Sequence, residues 1–241
     1  MQLSFLKSLP LPQQAVWGVG HTRHGTVTGR VIIYRRPPES PAMTTHRPPT
    51  TVRLIGVPTD IGASVRGASM GPEAMRVAGL QQALERLGLA VHDSGNLHGP
   101  TNPWQGPLDR FRHLPETVTW NQAVCDAVYA ALQAGQLPIM LGGDHCLAIG
   151  SIGAVARHCR ERGQRLRVLW LDAHADFNTA AMTPSGNIHG MPVACLCGHG
   201  PDALTHIGGQ VPALQPGDIR QIGIRSVDEG ERQFVHDMGI E

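Results

Sequence analysis

The sequence predicts an α/β fold, a three-layer α-β-α arrangement around a mainly parallel sheet. Three observations carry that expectation. From Val52 onward, short apolar and β-branched runs alternate with stretches of helical spacing. Glycines and prolines punctuate nearly every junction between them. Two of the apolar runs, Leu137–Leu141 and Leu166–Leu171, lead straight into clusters of polar residues. Alternating strands and helices bury a parallel sheet on both faces, and ligands in such sheets bind at the carboxyl ends of the strands.

The elements follow in order. Val52–Val57 reads as a buried strand ending at Pro58, followed by a Gly-rich loop over 60–68. Gly71-Pro72-Glu73 opens a helix, with Pro in the first turn and Glu73 favourable to the helix dipole; it is expected to run to Leu87 and stop at Gly88. Leu89–His92 is a second strand and 93–116 a long loop. The spacing of Val124, Ala127, Val128, Ala131 and Leu132 predicts a helix over Thr119–Ala134. Then come the strand Leu137–Leu141, a helix Ala148–Arg162, the strand Leu166–Leu171, a short helix near Pro192–Leu196, a strand Asp218–Ile224 and a helix over Asp228–Met238. Residues 1–50 differ: Pro37, Pro38, Pro41, Pro48 and Pro49 crowd their second half, and the segment is expected to be a disordered extension, or one added by a start codon assigned upstream of Met43. The folded domain is expected over 51–241.

Composition excludes several classes. The 241 residues are 41% hydrophobic with 29 Gly and a net charge of +1, which suits a loop-rich globular protein and gives no basic surface for nucleic acid. The five cysteines are odd in number and form no zinc-type pairs, as expected of a reduced, cytoplasmic protein. No run approaches the ~18 apolar residues of a membrane span.

The chemistry concentrates at Asp172-Ala173-His174-Ala175-Asp176. Alternate residues of an extended segment point to one side, so Asp172, His174 and Asp176 can converge. Alone, the triplet reads equally well as loop-capping aspartates with a solvated histidine. His145, after a second strand end, tips the balance toward metal. Two His and two Asp suit a pair of borderline cations such as Mn²⁺ better than a closed zinc site.

Three segments then carry a resemblance: Gly142-Gly143-Asp144-His145, Asp172-Ala173-His174-Ala175-Asp176-Phe177-Asn178-Thr179 and Ser185-Gly186-Asn187-Ile188-His189-Gly190. In order and content they resemble the signatures of the ureohydrolases, and within them the arginases. The resemblance implies an arginase/deacetylase-like fold and a manganese hydrolase, with two Mn²⁺ per subunit, that cleaves L-arginine to L-ornithine and urea, as in arginine metabolism and the urea cycle. It implies His145, Asp172, His174 and Asp176 as metal ligands, with Asp172 bridging, and His189 as the catalytic proton shuttle, a task suited to a side chain titrating near neutrality. It implies Asn178 and Ser185 as readers of the substrate α-carboxylate, and Asp228 and Glu231 as readers of the α-amino group. The bland alternative for Asp228 and Glu231 is helix N-terminal capping, and both roles can hold at once. Cys146 reads as structural.

The family pattern continues beyond Glu241 with a further Asp-x-Asp strand end and a guanidinium-binding glutamate. The chain is therefore expected to be C-terminally truncated, inactive alone and poorly soluble. Agmatinase and formimidoylglutamase are the alternative activities, and an inactive metal-binding remnant is the non-enzyme alternative. The resemblance also implies a homo-oligomer, trimer or hexamer, with no membrane or nucleic-acid partner.

Overall fold

The computed structural model describes residues 51–240, which belong to one unit of the chain. The expectation for residues 1–50 lies outside the described residues. Among the described residues five strands form, and every pairing between them is parallel. They fall into two sheets. One has the order β2-β1-β3, from β1 (Thr51–Val57), β2 (Ala90–Asn96) and β3 (Leu137–Gly142). The other pairs β4 (Val168–Leu171) with β5 (Ile219–Ile222). Register is direct in each, with Leu54 beside Ile139 and Trp170 beside Gln221.

The first sheet is covered on both faces, as a parallel sheet requires. Strand alternation sends Val52 and Leu54 to one side, where Leu80 and Leu84 of α2 (Leu80–Arg86) pack on them. Ile55 and Val57 point to the other, against Val124 and Val128 of α3 (Leu114–Gln133) and Ile149 and Ala154 of α4 (Ala148–Glu161). Trp170 and Ile219 of the second sheet bury with Phe177, with α5 (Pro192–Leu196) and with the small residues Ala148 and Ala156 of α4. A single turn, α6 (Asp202–Thr205), and the terminal helix α7 (Glu229–Asp237) complete the described chain.

Strands β4 and β5 are shorter than the expected 166–171 and 218–224, and four further points differ from the sequence expectation. The helix expected over 71–87 is two helices, α1 (Gly71–Val77) and α2, because Gly79 adopts φ +79°. That left-handed conformation is accessible to Gly and breaks an α-helix, while the surrounding apolar spacing masks it. Helix α3 begins five residues earlier than expected, with Pro115 and Glu116 in its first turn, so Pro115 opens a helix rather than closing a loop. Strand β2 runs on through Asp93, Ser94 and Gly95, polar residues tolerated on an exposed edge strand, with an irregularity in its register against Leu54–Gly56. The one-turn helix α6 carries too little pattern to be read in advance.

Candidate metal centre

The two sheets deliver their carboxyl ends to one place. After β3 the chain passes Gly143, where a Cβ would run into the Thr59 carbonyl, so only glycine lets the two strand ends lie together. The Gly143 N–H donates to Val57 O and the Asp144 N–H to Thr59 O, both at 3.0 Å. Asp144 itself is a cap rather than a ligand: its Oδ1 accepts the Cys146 N–H at 3.0 Å and its Oδ2 the Gly62 N–H at 2.8 Å. His145 is thereby presented at the start of a short 3₁₀ turn, His145–Leu147. The neighbouring Cys146 is fully buried, and burial pushes its thiol pKa well above the ordinary value, which makes it a packing residue.

After β4, the Asp172 N–H donates to Ile222 O at 3.1 Å, and Asp172 Oδ1 accepts the His174 N–H at 2.9 Å. The extended run expected over 172–176 is absent: β4 ends at Leu171, and the turn that follows places Asp176 at φ +50°, outside the usual range for a non-glycine residue. That turn brings the carboxylates to His145: its Nδ1 lies 2.9 Å from Asp172 Oδ2 and 2.8 Å from Asp176 Oδ2. Ligand atoms of His145, Asp172 and Asp176 all lie within 4.8 Å of one another. One imidazole nitrogen and carboxylate oxygens at that spacing fit a divalent cation of the hard-to-borderline kind. His174 stands alongside, its Nδ1 3.4 Å from Asp172 Oδ1 and its ring exposed. Asp172 thus faces one histidine with each oxygen.

The electrostatics follow from this packing. Burial pulls the His145 pKa down, but the hydrogen bond and charge of Asp176, with those of Asp172, outweigh it and leave the pKa raised. Burial works to raise the Asp172 pKa, but the His174 N–H and the His145 charge leave it below the ordinary value.

All nine residues singled out in the sequence line one cleft of about 320 Å³: His145, Asp172, His174, Asp176, Asn178, Ser185, His189, Asp228 and Glu231. Asn178 is buried and donates from Nδ2 to Asp228 Oδ2 at 3.1 Å, while its Oδ1 has no hydrogen-bond partner among the described residues. His189 is placed by its own N–H, which donates to Gly62 O at 3.2 Å. Ser185 is exposed, its Oγ accepting the Asn187 N–H at 3.2 Å. Asp228 and Glu231 form a capping box at the start of α7. Glu231, 3% exposed, also accepts the Phe177 N–H at 2.8 Å, so it ties α7 to the loop carrying Asp176. Burial raises the Glu231 pKa, against the pull of the Phe177 and Asp228 N–H groups. Capping and cleft-lining hold together for this pair.

Sequence reasoning missed four contributors. Thr183, Asn187 and Ser226 also line the cleft. Asn187 stands inside the Ser185–Gly190 motif, whereas nothing local marks Thr183. The fourth is Trp170, whose ring stacks on His145; its position two residues before Asp172 was the available signal.

Strand-end donors gathered from two parallel sheets define an α/β protein with a candidate metal site, and comparison with known proteins narrows the class. The arginase family model matches residues 50–241. The arginase of Bacillus caldovelox is 45% identical over 191 residues, spanning 78% of this chain and 62% of that enzyme. Its native structure superposes with a TM-score of 0.74 at 44% identity, covering 80% of this chain and 64% of that one. The Entamoeba histolytica arginase solved with L-ornithine gives a TM-score of 0.72 at 34% identity, covering 80% and 64%. A Trypanosoma cruzi formiminoglutamase with manganese shares only the fold, at 18% identity, a TM-score of 0.56 and coverage of 78% and 57%. This chain belongs to the arginase family. It spans about 62% of the length of the Bacillus caldovelox enzyme. Among the described residues no helix is long and apolar enough to cross a membrane.

Proposed function

We propose that the protein is an arginase-type amidinohydrolase, which uses two Mn²⁺ ions to convert L-arginine to L-ornithine and urea. The observation that carries this reading is the single cleft in which metal donors, a histidine and the Asn178–Asp228 pair meet. His145, Asp172, His174 and Asp176 would hold the metal. A divalent pair, once bound, supplies a polarised water of lowered pKa.

The remaining work falls to this chain's side chains. Asp228 would take the substrate α-ammonium and Asn178 and Ser185 its α-carboxylate, the complementary pairing an amino acid requires. An arginase solved with L-ornithine supports that assignment, because ornithine keeps both groups. Glu231, its oxygens engaged by two backbone N–H groups, would set the position of Asp228. As water adds to the guanidinium carbon, the bond from that carbon to the side-chain nitrogen breaks and the nitrogen needs a proton. His189 would deliver it.

Agmatine lacks the α-carboxylate, so the agmatinase alternative leaves Asn178 and Ser185 without a task. The same reading places the protein in the cytoplasm, where its five free cysteines stay reduced, as a homo-oligomer (trimer or hexamer) with residues 51–241 as its family domain. Calorimetric titration with Mn²⁺ present tests the substrate: L-arginine and L-ornithine should bind at least about 10-fold more tightly than agmatine, as expected for loss of one charged contact. Equal binding of agmatine would sink the arginine reading, and no uptake of Mn²⁺ would favour the inactive remnant.

A further inference from the structure

His145 is held from two directions, and the metal reading accounts for one. Its Nδ1 meets one oxygen each of Asp172 and Asp176. Both contacts fall on a single atom at one edge of the imidazole, and neither bears on the face of the ring. The face of the ring lies on Trp170, with centroids 4.3 Å apart and planes inclined by 22°. We propose that Trp170 is a positioning residue for the metal centre: its indole sets the plane of the His145 imidazole, and so the direction in which the ring nitrogens face a cation.

The placement supports this role. Trp170 is 4% exposed and stands on β4 two residues before Asp172, so indole and carboxylate leave the strand on the same side. His145 arrives from the end of β3, in the other sheet. The stack is therefore a ring-on-ring contact between the two strand ends whose donors must meet. Trp170 Nε1 is buried without a hydrogen-bond partner among the described residues, which is unfavourable, so its polar atom does not explain the residue. What the indole supplies is a broad flat face. Groups that orient a metal ligand typically change metal affinity by about 10–100-fold when removed.

The inference rests on His145 being a metal ligand, and the experiment separates the two claims. The 241-residue chain and its Trp170→Phe, Trp170→Leu and His145→Ala variants are titrated with Mn²⁺, free ion being counted by its electron paramagnetic resonance. The His145 Cε1–H proton resonance is recorded without metal, because a stacked indole shifts it by its ring current. Trp170→Leu should bind Mn²⁺ about 10–100-fold more weakly, Trp170→Phe should recover most of that loss, and the resonance should move toward its unstacked position in Trp170→Leu. Near-equal melting temperatures of the Phe variant and the parent exclude misfolding as the cause. Unchanged affinity in Trp170→Leu, beside a clear loss in His145→Ala, overturns the positioning role while keeping the metal site. Affinity that is absent throughout overturns the metal reading and the positioning role together, and a resonance that still moves would then show that the stack itself exists.

Discussion

The two parallel sheets are fastened by different means. In the first, β1 has a partner strand on each edge and apolar side chains buried on both faces. In the second, β4 buries Trp170 on one face but leaves Leu169 and Leu171 on the other 64% and 72% exposed, with Ile222 of β5 exposed beside Leu171. Loops secure its carboxyl end instead. Gln221 Nε2 donates to Ala175 O at 2.6 Å, the Arg225 and Ser226 N–H groups to Ala173 O, and the Phe177 N–H to Glu231. The first sheet is a packed platform, and the second is a polar lacework around the donors. Burial gives the one its rigidity; directed hydrogen bonds give the other its geometry.

Four substitutions probe that contrast, in falling order of expected effect. Leu54→Ala, in the doubly covered sheet, should cost about 2–5 kcal/mol by lost transfer energy and an unfilled cavity, read from urea midpoints. A cost near zero would mean that the platform is loosely packed. Glu231→Ala should cost about 2 kcal/mol, because the Phe177 and Asp228 N–H groups lose their acceptor. If thermal melting leaves that variant unchanged, the second sheet is not held by its polar ties.

Next comes Asp93→Asn, at the edge of the first sheet, with an expected cost of about 1 kcal/mol. Arg76 grips Asp93 with two hydrogen bonds, at 2.7 and 2.9 Å. That hydrogen-bonded guanidinium, against the opposing effect of burial, holds the Asp93 pKa below its ordinary 3.8. The sign follows: the folded chain binds fewer protons, so the contribution is full above the unfolded pKa and is lost as pH falls through the lowered value. The variant's cost should therefore be present near about pH 6 and fade below about pH 3, and a pH-independent cost would remove the ion pair from the explanation. Leu171→Ser should change stability by no more than about 0.5 kcal/mol while delaying aggregation on heating. A loss comparable to that of Leu54→Ala would erase the distinction between the sheets.

Much of this was legible in the residues. The donors Asp172, His174 and Asp176 were legible just beyond an apolar strand, although a turn with Asp176 in a left-handed conformation, not strand alternation, brings the two carboxylates to His145. The glycine-rich ends of β1 and β3 mark where backbones must approach. The break at Gly79 was hidden because helical apolar spacing continues through it. The extension of β2 was hidden because an exposed edge strand needs no apolar alternation. Glu231 was visible as a cap and as a cleft residue, but not as the acceptor that fastens the loop bearing Asp176.

The sequence by itself determined the alternation of strands and helices and the strand ends that carry donors. It also carried the motifs by which the chain resembles the ureohydrolases. Only the tertiary structure decided that His145 from one sheet meets Asp172 and Asp176 from the other, that Asp144 turns inward as a cap, and that an indole lies beneath the imidazole. Local spacing fixes how side chains leave one strand. Which donors meet across 27 residues or more of chain depends on how two separately fastened sheets bring their carboxyl ends together.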